Sequence, residues 1–321
     1  DQADIYNLDV LQGMVALFEA TGNKKYLNDV IKAYEILFNS ALPSNDLPKT
    51  GNSYDDEYLS WYGNPSENFT SIGLLGQNQL YESRGFMHLS RLLRVLHYSP
   101  NLRSENSQLD EKTYQEHYNY LLEFLEVNFW DKWFTRNPYV YQYSGLDSVS
   151  SWAYIGWNLW ECTGNIKYKN TYDSINNNIG IPGIEGGLVQ HLDINISDPK
   201  AYQWNTRFDN TPYDGRAISD HGHAARTVKF IVEDYTWGGN SYSKEHISAL
   251  ETTVEVFWPT AFDGTKRIYY WLDGKDKSGN EERNFMPEGW MCLGRFSESL
   301  QKRFENIDTN YFNENRTEGV F

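Results

Sequence analysis

An all-α fold of stacked helical hairpins, an (α/α) toroid (a full or incomplete barrel) with long loops around a cleft, is the architecture this sequence predicts. Three observations carry that expectation: a dominant helical periodicity, a helix-ending punctuation that occurs twice, and long Gly- and Asn-rich connections between the periodic segments. Leu8, Leu11, Val15 and Phe18 recur at helical spacing, "TGN" interrupts, and Tyr26, Val30, Tyr34 and Leu37 resume the pattern. This predicts a helix, a tight turn and an antiparallel helix. The punctuation in "ATGNKKYLNDVI" returns in "CTGNIKYKNTYDSI", where Gly22 and Gly164 each fit the left-handed residue that ends a helix.

Further hairpins follow along the chain. "RGFMHLSRLLRVLHY" is expected to pair with "EKTYQEHYNYLLEFLEVNFW", "SSWAYIGWNLWECTGN" with the segment after Lys167, and "HAARTVKFIVEDYTWGGN" with "SKEHISALETTVEVFW". The connections Ser44 to Gln79 and Gly180 to Ser219 are long for a compact domain, a length that usually marks function. An open solenoid of the tetratricopeptide type is the alternative, but the spacing is irregular and the loops are too long for it. The hairpin array is read as one catalytic domain spanning residues 1–321.

Composition narrows the function classes. Eleven Trp, 24 Tyr and 16 Phe are more amphipathic rings than a core needs, so some are expected to line a groove and stack on sugars or bases. Charge decides between those ligands. With 28 basic against 44 acidic residues the net charge is −16, and no basic patch is present to neutralise a phosphate backbone. Nucleic acid is therefore excluded as the expected partner, and a carbohydrate takes its place. Cys162 and Cys292 fit no metal or redox spacing. No apolar run approaches the roughly 20 residues of a membrane span. The chain opens at Asp1 without a signal-peptide pattern, which fits either a cytoplasmic protein or a chain that begins after a removed leader. Nothing in the sequence points to a cofactor or a metal.

Four segments carry candidate chemistry. In "ISDHGHAARTVKFIVEDY", Ser219 or Asp220 is the expected N-cap, and His221 shares a buried stripe with Ala225, Val228 and Val232. His223 points to a different side. Positive potential at a helix start disfavours imidazolium, so a histidine there stays neutral and able to accept a proton. A histidine that merely bonds a neighbouring loop is the competing reading; a metal site is weaker, because no third or fourth ligand is visible. Arg84 opens the second candidate, a helix with Leu89, Leu92, Leu93 and Leu96 on its apolar stripe, and needs an anion. A substrate carboxylate fits, as does a salt bridge to Glu82 or Asp56. The third, "GNSYDDEYLSWYGNPSEN", sets Asp55, Asp56 and Glu57 beside Trp61 and Tyr62, an arrangement found at the active end of glycosidases and also in plain solvated loops. A hydrolase would pair one of these aspartates with Asp147 or Asp220. The fourth, "DGTKRIYYWLDGKDKSGN", places Tyr269 and Tyr270 near Arg267, where a tyrosine can pass a proton.

Together these segments resemble the (α/α)-toroid uronate lyases, closest to the glucuronan and alginate lyases of polysaccharide lyase family 38. The resemblance rests on the order of "RGFMHLSRLLRVL", "NFWDKWFTR", "SSWAYIGWNLWECTGNIKY", "SDHGHAARTVKFIVEDY" and "GWMCLGRFSESLQKRFE", over roughly Ser83 to Glu305. It implies β-elimination beside a uronic acid, with the carboxylate neutralised, a histidine or tyrosine removing the neighbouring proton, and a tyrosine protonating the leaving oxygen. Carried over by position, His221, Tyr270 and Arg84 are the catalytic residues; Arg216, His223, Tyr269, Trp61, Tyr62, Trp152 and Asp147 are expected at the substrate, the three Trp and Tyr rings 61, 62 and 152 by stacking on sugars. One departure stands out. Where the family carries asparagine and histidine as neutralisers, this chain has "SGLDSVSSWA" with Asp147 and Ser151, and a carboxylate there repels a uronate. A toroid hydrolase using aspartates, or a non-catalytic carbohydrate-binding protein, are the alternatives. Secretion or a periplasmic location follows from the substrate class.

Overall fold

The computed structural model describes residues 8–49, 51–62, 76–143, 145–192, 200–212, 215–259, 268–275 and 286–305. Helix accounts for 63% and strand for 5%, so the chain is all-α, as its periodicity predicts. It forms two compact units, one of Asp1–Val140 with Ile155–Lys169, the other of Tyr141–Tyr154 with Asn170–Gly319.

The first unit opens with the predicted hairpin, α1 (Asp9–Thr21) and α2 (Lys24–Asn39), which pack on each other. Leu11, Val15, Phe18, Val30, Tyr34 and Leu37 are all buried, the face that the spacing selects. The turn is built by its own side chains. Gly22 has φ +66° and donates its N–H to Phe18 O, while the Asn23 side chain accepts from Lys25 N at 3.0 Å. The second copy repeats this atom for atom: Gly164 has φ +70° and donates to Trp160 O, and Asn165 accepts from Lys167 N at 3.2 Å. In both, the preceding threonine hydroxyl accepts from the asparagine N–H. Only glycine adopts that φ without strain.

Helix α3 (Gln79–His97) is capped by Asn78 and packs on α4 (Tyr114–Leu125), which begins with a Thr113–Glu116 capping box. A π turn, Glu126–Asp131, leads into α5 (Lys132–Arg136). Between α2 and α3 lies a hairpin of β1 (Leu42–Pro43) and β2 (Leu59–Ser60). This hairpin is pinned from below by a fully buried ion pair. Lys132 Nζ lies 2.8 Å from Glu82, and also donates to Leu59 O and Ser60 Oγ; Trp133 Nε1 donates to the same carboxylate.

Helix α6 (Leu146–Thr163) has residues 146–154 in the second unit and 155–163 in the first, and α7 (Ile166–Asn177) is likewise shared. The second unit also contains α8 (His221–Thr236) packed on α9 (Lys244–Phe257), and α10 (Glu298–Glu305). A one-turn helix, Glu288–Met291, lies so close to α8 that a Cβ on Gly289 would sit 1.8 Å from Ala225 O. At the far end of α8, Asp234 is buried and accepts a hydrogen bond from the Tyr172 hydroxyl, with the N–H groups of Ser241 and Tyr242 also facing it. Burial pushes its carboxyl up to about 6.

Two stability measurements follow. Gly289→Ala forces backbone apart and is expected to cost about 1–3 kcal/mol in urea unfolding. Because the folded-state value of Asp234 exceeds its ordinary 3.8, its contribution to stability is fully present below about pH 4 and is lost as pH rises through about 6. Comparing urea midpoints of wild type and Asp234→Asn at pH 4 and pH 7 is expected to show the wild type losing on the order of 2–3 kcal/mol relative to the variant.

Candidate active site

The second unit brings the histidine pair together with the tyrosine segment. Residues 204–206, 217–221 and 270–272 run beside one another: Thr206 N donates to Ala217 O, Ser219 N to Trp204 O, and Leu272 N to Ser219 O. Asp220 forms an antiparallel bridge with Trp271, and His221 N donates to Tyr270 O at 3.1 Å. This pairing fixes where the helix starts and so where both imidazoles sit.

Asp220 is the N-cap of α8. Its Oδ1 accepts from Gly222 N at 2.9 Å and His223 N at 3.0 Å, and its Oδ2 is 2.5 Å from His223 Nδ1. Burial pushes this carboxyl up, but the hydrogen bond and charge of His223 outweigh it and hold Asp220 well below the usual carboxylate range. The side chain of His223 is 27% exposed, whereas that of Asp220 is 1% exposed.

His221 has a different environment. It is fully buried, its Nδ1 lies 3.1 Å from Tyr270 O, and its ring stacks on Phe257 at 5.7 Å between centroids. Tyr270 meets it edge-on at 6.4 Å, and the His221 carbonyl accepts from Trp290 Nε1 at 2.8 Å. Tyr270 is itself only 2% exposed, while Tyr269 is half-buried.

Arg216 lies at the opposite end of the same pairing. Its guanidinium grips Asp273 with both nitrogens, at 3.1 and 2.5 Å, and lies over the Trp271 ring at 5.4 Å. Lys275 reaches the same carboxylate at 3.1 Å. Burial raises Asp273, but bonds from Arg216 and Lys275 prevail and lower it, so the cluster carries two cations on one carboxylate. The Arg216 side chain keeps 30% exposure.

Several expected residues behave otherwise. Trp152 is fully buried, and Trp61 is 2% exposed with its indole N–H on Leu37 O and Ser40 Oγ. Neither ring has an open face, so both are core rings rather than sugar platforms; their apolar area is worth more inside. Tyr62 is half-buried. Asp147 is buried in the first turn of α6, where the helix start favours a carboxylate. Arg84 is buried within α3 in the first unit. Both carboxylates expected to pair with it hold other cations: Glu82 holds Lys132, and Asp56 takes a bidentate bond from Arg136 at 2.8 and 2.9 Å. Asp55 is 91% exposed and paired with Lys49 at 3.3 Å. Arg267 lies outside the described residues.

What sequence reasoning missed is the set of acidic partners. The spacing of Asp220 and His223 within one turn was a visible signal; nothing local marked Asp273 for Arg216 or Glu82 for Lys132, whose ammonium burial pushes down to about 8. Among the described residues, one group of His and carboxylates is close enough to hold a metal ion: Glu35, Asp110 and His117, with ligand atoms within 4.8 Å of one another. Its imidazole already spans the group, Nδ1 on Glu35 at 2.7 Å and Nε2 3.2 Å from Asp110, and Lys112 adds an ammonium 3.2 Å from Asp110. No described helix is long and apolar enough to cross a membrane. Compared with known proteins, the sequence matches no family model and no curated protein, and the fold matches no solved structure.

Proposed function

We propose that the protein is a polysaccharide lyase, an (α/α) toroid that cleaves a uronic-acid-containing polysaccharide by β-elimination. One observation carries this reading: residues 216–223 present a partly exposed guanidinium and a partly exposed imidazole from one segment, held by its pairing with residues 270–273. Elimination needs those two groups. A cation must neutralise the substrate carboxylate so that the adjacent C5 proton becomes acidic, and a neutral base must then remove it.

In this reading Arg216 meets the carboxylate. A histidine of the helix start takes the C5 proton, the electron pair forms the C4–C5 double bond, and the C4–O4 bond breaks. The half-buried Tyr269, or the buried Tyr270 expected from the resemblance, gives its proton to the leaving oxygen. Polymer substrates of this kind lie outside the cell, which makes a secreted or periplasmic enzyme the expectation.

The test is incubation with a panel of uronate polysaccharides, following ultraviolet absorbance of the new double bond together with reducing ends. The two are expected to rise together; reducing ends without absorbance would replace elimination by hydrolysis. On a polymer that is cleaved, Tyr270→Phe or Tyr269→Phe is expected to lower kcat by about 10²–10⁴-fold while binding is retained. Wild-type turnover in both variants would remove tyrosine from the acid role.

A further inference from the structure

Resting on the lyase reading, we propose that His223 is the imidazole that takes the substrate proton, that Asp220 is its positioning residue, and that His221 is a structural anchor. The two histidines differ in what their neighbours allow. His221 gives its backbone N–H and its Nδ1 to the same Tyr270 carbonyl, stacks on Phe257 and receives Trp290 on its own carbonyl. Being fully buried, it is positioned to hold residues 270–271 against the helix start rather than to meet a polymer.

His223 has an oriented ring and access. Asp220 Oδ2 lies 2.5 Å from Nδ1, which places the proton of the neutral ring on Nδ1 and leaves Nε2 as the accepting nitrogen. The side chain is 27% exposed, so that nitrogen belongs to the histidine of the pair that solvent reaches. When Nε2 takes the C5 proton, the electron pair passes into the C4–C5 double bond and the C4–O4 bond breaks. The imidazolium then faces an adjacent carboxylate, and its proton leaves to solvent after turnover. Asp220 cannot drift from this task, because its other oxygen is held by the N–H groups of Gly222 and His223. The arrangement has the logic of an acid–imidazole pair in which the carboxylate sets the tautomer and does not itself take the proton.

Asp220→Asn isolates the positioning role. Asparagine is as good an N-cap as aspartate, so the helix start is retained. Its amide NH₂ now faces Nδ1, however, and drives the ring to the tautomer with the proton on Nε2. Nitrogen-15 NMR of histidine-labelled protein reads this directly without substrate. The neutral His223 ring is expected as the Nδ1–H form in the wild type and as the Nε2–H form in Asp220→Asn. On a polymer that the wild type eliminates, Asp220→Asn and His223→Ala are each expected to lower kcat by about 10²–10⁴-fold with little change in KM, and free imidazole to restore part of the His223→Ala loss. His221→Gln, by contrast, is expected to lower the melting temperature. An Nε2–H ring in the wild type, or an Asp220→Asn variant whose kcat stays within about twofold of wild type, would overturn the proposal. If the tautomers are as expected but no uronate polymer is eliminated, the pairing stands, and both the lyase reading and the proton-transfer role built on it fall.

Discussion

The buried carboxylate of Asp220 is the constraint on which the candidate site depends. One oxygen satisfies two of the N–H groups that the first turn of α8 leaves without intrahelical partners, and the other holds the His223 ring. Its backbone bridges Trp271 and accepts from Ala224 N. A helix cap alone contributes about 1 kcal/mol. Here the cap also sets the rotation of α8, because the residue that begins the helix is the residue that pairs with the 270–272 segment. The tyrosine pair, the histidine pair and the Arg216–Asp273 grip are thereby placed in one frame.

A second buried carboxylate plays the corresponding part in the first unit. Glu82 accepts from Lys132, Trp133 Nε1 and Ser60 Oγ, and the Lys132 ammonium spends its other bonds on Leu59 O and Ser60. Such a pair contributes little net stability against an apolar equivalent, since desolvation offsets the attraction; removing one partner costs about 3–5 kcal/mol. Its effect is on arrangement: the ammonium bonds two consecutive residues of β2, so a shift of β2 would leave those two buried hydrogen bonds unmade. Arg136 adds to the same hold, bonding Asp56 and Ser44 while Tyr54 lies over its guanidinium at 3.9 Å. The acidic stretch that resembled a glycosidase end is, for Asp56, part of this fastening.

These contrasts show where sequence reading succeeds. The α1–α2 hairpin, the two "TGN" turns and the Asp220 cap were legible because each is built from partners within a few residues, so the side chains that make the structure stand next to it in the chain. The Arg136–Asp56 and Arg216–Asp273 pairs join residues 80 and 57 positions apart, and charge spacing along the chain carries no trace of them. Aromatic rings failed for another reason. A surplus of Trp and Tyr argues that some rings face a groove, yet gives no means of choosing which, and Trp61 and Trp152 belong to the core. For the histidines, the helical stripe correctly separated the sides of His221 and His223. On the inward side, Tyr270 O and Phe257 lie against the His221 ring.

The placement of acids and cations also bears on which chemistry the chain is equipped for. A glycosidase needs a carboxyl that keeps its proton near neutral pH, which burial or a nearby negative charge supplies. Asp56 is driven the other way by Arg136 and Asp220 by its hydrogen bonds to His223, and Asp55 sits exposed beside Lys49. Asp234 keeps its proton to higher pH, but it is enclosed at the end of α8 by Tyr172, Ser241 and Tyr242. Elimination makes no such demand. It needs a cation and a neutral base; in this chain carboxylates hold a guanidinium and an imidazole, Asp273 on Arg216 and Asp220 on His223. A net charge of −16 is compatible with an anionic polymer, because repulsion between exposed charges is largely screened beyond about 10 Å at 0.1 M salt. Locally, the two cations Arg216 and Lys275 outnumber the one carboxylate of Asp273 that they share.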